Sequence, residues 1–444
     1  MPYTRTMRAP EISTISLPFL FFLPRLTSKP RPLRPLRQHP AVSPGNRLLL
    51  ATLFLTVPLL WGCSASSPAR RSQTEFLLGT AVTITVFEAN NPRPALTAAF
   101  ERTREIQNRM SINREEYETT EILEVNRHAG QAPVKVSDDT LLVIREGIKA
   151  GHLTGGAFDI TIAPLIALWG MGTETPSVPT KEEILRARSA LDFRSLVVDE
   201  ESRTVFLPRP GMALDVGGIA KGYAVDEGAR ILREAGIQHA LLDYGGDIVT
   251  VGEHPRGTPW RIGLQHPSGE RDRYLGVLSS RDESVVSSGA YERFFEEEGV
   301  RYHHIFDPAT GYPSESGLTS VTVVGPRAII TDALSTAIFV MGLEAGMKLM
   351  EELPGYEAII ATGDDRIILT PGVADRFERT APEYALFVAC SCGTDHPLGG
   401  GQPREGIALP ENPVCPEGLA SSPFTNRLVG TPPRQQDQEG PGRN

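Results

Sequence analysis

The sequence has few cysteines, no excess of positive charge and no apolar run long enough to cross a bilayer. Its 444 residues include four cysteines, which are too few and too unevenly placed for a disulfide framework. A net charge of −10 argues against a nucleic-acid binder, which normally carries a basic face. It also means that an anionic ligand needs local positive charge, most simply a divalent cation. What the chain does have is 40% apolar residues, enough to bury a core.

The N-terminal region has the pattern of an export signal. Residues 1–46 carry seven basic residues against one acid, Glu11, and an apolar run follows at 48–60. That run is shorter than the roughly 20 residues of a bilayer span, as in secretory signals. It ends at Leu60-Trp-Gly-Cys63, which resembles a bacterial lipobox and predicts lipidation of Cys63. The alternative is a processed or buried apolar stretch with an incidental cysteine, and 1–46 is either a long leader or an over-extended start.

Apolar periodicity predicts a single α+β domain with a largely antiparallel sheet, because the strands cluster between helices without a βαβ rhythm. Helices are predicted at 94–110, 138–152 (with Ser137 as N-cap), 181–190, 221–235 and 332–353. Strands are predicted in the later part of 76–87 and at 240–243, 248–251, 261–265, 274–278, 302–305, 320–324, 358–361 and 367–369. The predicted organisation is a leader with the lipobox at 1–63, a tether at 64–73, a catalytic domain at 74–378 and a disordered tail at 379–444.

The predicted tail contains the remaining cysteines. Cys390, Cys392 and Cys415 could form a zinc site with His396, but their spacing matches no standard ligand pair. We therefore expect no metal role for them.

The stretch from Ala213 to Asp226 is the most informative in the chain. An apolar run delivers Asp215, a Gly-Gly pair exposes backbone, and a helix is predicted to begin near Lys221. Carboxylate, bare carbonyl and helix N-terminus together suit a phosphate ester or a metal ion. The spacing fits neither a Walker A loop nor a Rossmann fingerprint. A strand-to-helix turn with a surface lysine remains the alternative.

A second stretch, Gly155-Gly-Ala-Phe-Asp159, combines an exposed turn with an aromatic ring and a carboxylate. Phe158 could stack on an aromatic ligand while Asp159 reads its edge. The alternative is a helix C-cap with Phe158 in the core.

Two further stretches offer catalytic groups. His303 and His304 are adjacent on a predicted strand, so only one can face a given side, and His304 is the better candidate for proton transfer. Asp332 and Thr336 are spaced i, i+4, so both lie on one helix face and could bind Mg²⁺. The alternatives are a structural histidine, an acid favoured by the helix dipole and a threonine bonded to its own helix.

These stretches together resemble the ApbE family, the FAD:protein FMN transferases, over about 76–368. The matching segments are Gly79-Thr80, Met110-Ser111, Gly156-Ala-Phe-Asp159, Leu214-Asp-Val-Gly-Gly-Ile-Ala-Lys-Gly-Tyr-Ala-Val-Asp226, Gly245-Gly-Asp247, Ser288-Gly-Ala-Tyr-Glu-Arg293, His304-Ile-Phe-Asp-Pro-Ala-Thr-Gly311 and Asp332-Ala-Leu-Ser-Thr336. The resemblance implies one ApbE/T-fold-like catalytic domain. It also implies Mg²⁺-dependent cleavage of FAD, transfer of FMN to a Thr or Ser hydroxyl of an acceptor protein, and release of AMP.

The resemblance also assigns roles to individual residues. It implies FAD contacts from Leu78 (where the family usually has Met), Ala157, Phe158, Asp159, Asp215, Lys221 and Ile305. It implies magnesium ligands at the Gly218 carbonyl, Asp332 and Thr336, and a catalytic role for His304 and Asp332. The loop after Met110-Ser111 departs from the family pattern, because Asn113 stands where an aromatic is usual and Tyr117 is the nearest replacement.

We therefore expect a lipid-anchored flavin transferase of the bacterial cell envelope, on the periplasmic or outer face of the cytoplasmic membrane. Its expected partners are FAD, an acceptor flavoprotein such as a redox-complex subunit, and the membrane through its anchor, but no nucleic acid. An FAD pyrophosphatase that transfers FMN to water, and a flavin-binding lipoprotein without turnover, are the alternatives.

Overall fold

A nine-stranded sheet forms the centre of the fold in the computed structural model, which describes residues 69–88, 91–113, 116–270 and 272–389. The strands are β1 (Ala69–Leu77), β2 (Thr80–Glu88), β3 (Val134–Lys135), β4 (Val197–Asp199), β5 (Thr204–Phe206), β6 (Ala240–Tyr244), β7 (Asp247–Val251), β8 (Trp260–Gln265), β9 (Tyr274–Ser280), β10 (Ser284–Gly289), β11 (Phe294–Glu297), β12 (Val300–His303), β13 (Leu318–Gly325), β14 (Glu357–Thr362), β15 (Arg366–Leu369), β16 (Phe377–Arg379) and β17 (Ala385–Val388). The order in the large sheet is β1-β2-β6-β7-β10-β13-β14-β15-β17. Neighbouring strands are antiparallel except β15 and β17, so the predicted α+β class is confirmed.

Most helices that pack on this sheet lie on one face of it. The helices are α1 (Arg93–Met110), α2 (Glu121–Arg127), α3 (Asp138–Leu153), α4 (Ala163–Trp169), α5 (Lys181–Arg188), α6 (Gly217–Glu234), α7 (Ala328–Met341), α8 (Leu343–Glu351) and α9 (Pro371–Ala374). The exceptions are α9, whose Val373 lies in the core on the other face, and α4 and α5, which pack together through Trp169 and Ile184. Apolar residues of β2 and β6, such as Ile84 and Leu242, form one core with α1 and α6. On the opposite face, Ile262 and Leu278 of the three-stranded sheet β16-β9-β8 pack against Val285 and Ile359. The result is a helix–sheet–sheet stack.

The helices predicted at 94–110, 138–152 and 181–190 are confirmed, and the Ser137 side chain caps α3 by accepting the Thr140 N–H at 3.3 Å. Two helix predictions need correction. Helix α6 begins at Gly217 rather than near Lys221, which places the Gly-Gly pair inside its first turn. The helix predicted at 332–353 begins earlier and divides at Gly342, whose φ of +83° ends α7.

The strand predicted at 302–305 lies at Val300–His303, so His304 and Ile305 follow the strand rather than belong to it. The other predicted strands are present within a few residues. Sequence patterns did not predict the short strands β3, β4, β5, β11, β16 and β17, nor β10. They also missed β1, whose polar residues up to Glu75 show no alternation.

The strands of the domain extend beyond both of its predicted ends, residues 74 and 378. Strand β1 begins at Ala69, inside the predicted tether, because its backbone pairs with β2 along its whole length. Strand β17 lies in the predicted tail and pairs with β15. The leader, the lipobox with Cys63, and the tail cysteines lie outside the described residues. Within the described ranges, no helix has the length and apolar character of a membrane span.

Candidate active site

Helices α6 and α7 are locked together along one face of each, and this contact organises the site. Positions 218, 222 and 226 of α6 recur every four residues, as do 328, 332 and 336 of α7, so each set lies on one face. The Asp226 carboxylate accepts the N–H groups of Ala328 and Ile329 at 2.9 and 3.0 Å and thereby caps α7. One turn away, the Gly222 N–H donates to Asp332 Oδ2 at 3.0 Å. The helices therefore run antiparallel in fixed register.

The same register brings the predicted metal ligands to one place. A Cβ atom at Gly218 would lie 3.9 Å from Thr336 Oγ1, and Asp332 is one turn along each helix from that point. Asp332 is 3% exposed. The Ser288 hydroxyl lies 3.2 Å from Thr336 Oγ1 and so fixes the threonine side chain.

This close helix contact depends on Gly222. A Cβ atom at position 222 would lie 2.3 Å from the Ala328 carbonyl oxygen and 2.8 Å from Asp332 Cβ. Neither neighbour is a flexible side-chain end, so the helices would have to separate.

We therefore expect Gly222→Ala to lower the free energy of unfolding by about 1–3 kcal/mol, as overpacking does, and to reduce turnover by displacing Asp332. Chemical denaturation measures the first effect. Gly218→Ala is the matched comparison for stability. A Cβ atom added at Gly218 would meet the edge of the Phe158 ring first, at 3.2 Å, and not the backbone of α7. A Gly222→Ala variant as stable as the parent would contradict the close packing of α6 and α7.

Lys221 lies between two buried carboxylates. Its ammonium group forms an ion pair with Asp247, which is fully buried, and lies 4.0 Å from Asp332 Oδ1. Burial alone would lower the pKa of Lys221, but the charges of Asp247 and Asp332 raise it. Burial and the Asp332 charge raise the pKa of Asp247. The ammonium group of Lys221 is therefore committed to carboxylates.

Asp247 is a functional candidate that sequence reasoning missed. Its Oδ2 is buried and has no hydrogen-bond partner among the described residues. The available signal was a carboxylate directly after Gly245-Gly246, but its meaning depends on Lys221 and Asp332, which are distant in sequence. The unpartnered oxygen therefore lies on the buried carboxyl group that shares Lys221 with Asp332.

Oxygen atoms dominate this point, which is the chemistry that a hard cation prefers. The Asp332 carboxylate and the Thr336 hydroxyl are donors of the kind that Mg²⁺ binds, Gly218 packs beside Thr336, and an unpartnered oxygen of Asp247 lies on the carboxyl group that pairs with Lys221. Within the described part of the chain, no three His, Cys, Asp or Glu side chains cluster as a metal site. A magnesium site here would rest on one carboxylate plus a carbonyl and a hydroxyl.

Asp215 precedes α6 and is held from two sides. Its Oδ1 accepts the Gly217 N–H at 2.7 Å, and its N–H donates to the Ile160 carbonyl at 2.8 Å. Burial raises the pKa of Asp215, and the charge of Arg293 opposes that shift. The preceding Leu214 backbone is bonded at both N–H and C=O by the Asn126 side chain, a contact with no sequence signal.

The stretch 157–159 has a more structural character than predicted. Phe158 is only 6% exposed and belongs to the main core, although its ring edge touches Gly218. Asp159 Oδ1 accepts the Thr161 N–H at 2.7 Å and the Thr161 hydroxyl at 2.6 Å, and burial raises its pKa. Ala157 is half-buried beside them. The segment lies beside α6 through the Phe158–Gly218 contact, but the Phe158 ring is largely covered by protein.

The tight turn between β1 and β2 brings Leu78 to the same region. Leu78 and Gly79 both have positive φ, +54° and +69°, and the Leu78 N–H donates to Gln107 Oε1 at 2.5 Å. Gln107 Nε2 in turn donates to the Tyr117 hydroxyl. Tyr117, the candidate replacement for the missing aromatic, is therefore linked to Leu78 through the side chain of Gln107.

The two histidines have different environments. His303 is buried, and its Nε2 pairs with the Ser314 carbonyl at 3.0 Å, which is a structural contact. His304 remains partly exposed, and its Nδ1 lies 3.2 Å from the Arg293 carbonyl. Donation by Nδ1–H leaves Nε2 unprotonated and able to accept a proton. Burial and the Arg293 charge lower the pKa of His304 to about 4. Ile305 is buried against α7.

Known proteins of the same architecture share this arrangement of strands and helices. The flavin transferase ApbE from Vibrio cholerae matches with a TM-score of 0.60 and 30% identity, over 70% of this chain and 96% of that one. The ApbE protein from Thermotoga maritima matches with a TM-score of 0.61 and 34% identity, over 70% and 97% of the two chains. The fold is thus that of the ApbE flavin transferases.

Sequence comparison gives the same family. The FAD:protein FMN transferase of Treponema pallidum is 34% identical over 331 residues, which cover 71% of this chain and 91% of the relative. That of Klebsiella pneumoniae is 34% identical over 316 residues, covering 71% and 96%. The model of the ApbE family matches residues 78–360, and the chain belongs to that family.

Proposed function

We propose that this protein is an FAD:protein FMN transferase, which moves FMN from FAD to a Thr or Ser hydroxyl of an acceptor protein and releases AMP. The observation that carries the proposal is that Gly218, Asp332 and Thr336 lie along the contact between α6 and α7, with Asp332 Oδ1 4.0 Å from the Lys221 ammonium group that pairs with Asp247. Family membership and the names of relatives such as that of Treponema pallidum support the same activity.

The transfer breaks one phosphoanhydride bond and forms one phosphoester bond. The acceptor oxygen attacks the FMN phosphorus, and AMP leaves with the electron pair of the broken P–O bond. His304 Nε2 is the base that we propose for the acceptor proton, because its ring is neutral and its other nitrogen is engaged by a carbonyl.

Asp332, Thr336 and the Gly218 carbonyl are the residues that we propose to hold Mg²⁺. When bound, the ion would neutralise charge on the pyrophosphate, the main electrostatic demand of phosphoryl transfer. Ser288 and Gly222 orient Thr336 and Asp332 for this role. Leu78, Ala157, Phe158, Asp159, Asp215, Lys221 and Ile305 remain the proposed FAD contacts.

Purified components separate this proposal from its alternatives. Full-length protein incubated with FAD, Mg²⁺ and an acceptor protein is expected to yield AMP together with flavin fluorescence on the denatured acceptor. AMP with free FMN in the absence of any acceptor would favour a pyrophosphatase. FAD that binds and stays intact would favour a carrier, which has little use for the buried carboxylate of Asp332.

We further propose that the protein works on the cell envelope through a lipid on Cys63, with redox-complex subunits or exported flavoproteins as acceptors. The support is the basic segment, the apolar run and the Leu60-Trp-Gly-Cys63 sequence. We expect Cys63→Ser to abolish fatty-acid labelling and to move the protein out of the membrane fraction. Cys390→Ser is the matched control, and labelling that survives Cys63→Ser would contradict the anchor.

A further inference from the structure

The cation assigned to the site so far, Lys221, is surrounded by acidic residues. Asp215, Asp243, Asp247 and Glu292 lie around α6, the β6–β7 turn and the end of β10, and burial raises the pKa of each because it disfavours the charged form. FAD would add an anionic pyrophosphate to this environment. Lys221 cannot balance it alone, because its ammonium group is already paired with Asp247 and close to Asp332.

Arg293 is the second cation of the region, and its side chain is uncommitted. Its guanidinium donates no hydrogen bond and forms no salt bridge to any residue in the described part of the chain, and the residue is exposed. Its electrostatic partners are nevertheless the site residues Asp215, Glu292 and His304.

The backbone of Arg293 is fixed while its side chain is available. The Arg293 carbonyl accepts the His304 N–H at 3.0 Å and lies 3.2 Å from His304 Nδ1. Arg293 Nη2 would lie 3.6 Å from a Cβ atom at Gly79, so the guanidinium extends over the turn that carries Leu78. The side chain therefore spans the space between the proposed base and a proposed FAD contact.

We infer that Arg293 binds the pyrophosphate of FAD. It supplies positive charge to the phosphates, because the charge of Lys221 is already paired with that of Asp247. The inference rests on the proposed function and adds a residue to its binding site. A guanidinium offers a planar fork of donors that matches two phosphate oxygens. The absence of a side chain at Gly79 leaves room for that contact beside the turn.

The test is equilibrium binding of FAD, ADP and riboflavin to the full-length protein without added metal, using Arg293→Met. We expect FAD and ADP affinity to fall about 10- to 100-fold, the range for a charge-assisted hydrogen bond. Riboflavin has no phosphate, and its affinity should change less than about 2-fold. Arg293→Lys should restore part of the FAD affinity, because it restores the charge without the fork.

Arg301→Met is the matched control, because Arg301 is an exposed arginine on the neighbouring β12 that pairs with Glu296. It should leave all three affinities unchanged. Equal losses for FAD and riboflavin, or unchanged FAD and ADP affinity in Arg293→Met, would overturn the inference. Parent protein that binds FAD but never cleaves it in the presence of Mg²⁺ would instead count against the proposed function, while the binding comparison would still decide the role of Arg293.

Discussion

Asp332→Ala is expected to lower the rate of AMP release from FAD by about 100-fold or more, the scale for losing a charged catalytic group, while FAD binding changes far less. Asp332 supplies the carboxylate of the proposed magnesium site, and its charge matters most when the pyrophosphate is cleaved. Steady-state AMP release and equilibrium FAD binding, measured on the same preparation, separate the two effects.

A structural loss must be distinguished from this chemical one. Asp332 Oδ2 accepts the buried Gly222 N–H, so alanine removes a hydrogen bond to a charged group between α6 and α7, at a cost of about 1–3 kcal/mol of folding stability. Asp332→Asn keeps an acceptor of the same shape and removes only the charge. We expect it to fold like the parent and still lose turnover. Equal AMP release from Asp332→Asn and the parent would refute the metal assignment.

His304→Gln is expected to lower FMN transfer to the acceptor by about 100- to 10,000-fold, the usual contribution of a general base. Glutamine can still donate to the Arg293 carbonyl, but it cannot accept the proton of the acceptor hydroxyl. The covalently bound flavin per unit time measures the effect. His303→Gln is the neighbouring control, expected to cost stability through the lost Ser314 contact rather than the transfer step itself.

The pH dependence of the parent should carry the signature of the same histidine. Because the pKa of His304 is lowered to about 4 in the folded protein, its neutral, basic form predominates well below pH 6.5. The acidic limb of kcat/KM that belongs to His304 should therefore lie near pH 4 rather than near 6.5. Protonation of the unfolded state also makes the protein progressively less stable as the pH falls from about 6.5 toward 4. An activity loss centred near pH 6.5 that His304→Gln abolishes would contradict this assignment of the pKa.

Much of the fold could be predicted from local patterns in the sequence. Each of three features depends on only a few neighbouring residues and is present in the structure: the Ser137 cap, the alternation of Val82, Ile84 and Val86, and the i, i+4 pair Asp332/Thr336. The ends of helices and strands were harder to predict. The helix of Lys221 begins at Gly217, where the Asp215 carboxylate accepts the N–H of the first residue, although glycine has low intrinsic helix propensity.

The parts that sequence reasoning missed depend on contacts between distant segments. The unpaired oxygen of Asp247, the bonds from Asn126 to Leu214 and the position of Arg293 over Gly79 each join residues many positions apart. Phe158 shows the reverse case, since an aromatic beside two glycines suggested a stacking platform but lies mostly in the core. A single sequence indicates which chemical groups are present, whereas their partners follow from the tertiary fold.

Mass spectrometry of an acceptor flavoprotein co-expressed with this chain tests the central claim most directly. The account predicts an acceptor peptide carrying one FMN in phosphoester linkage to a Thr or Ser, absent when Asp332→Asn replaces the parent. An acceptor that remains unmodified beside an active, FAD-cleaving parent protein would contradict protein flavinylation as the function of this chain.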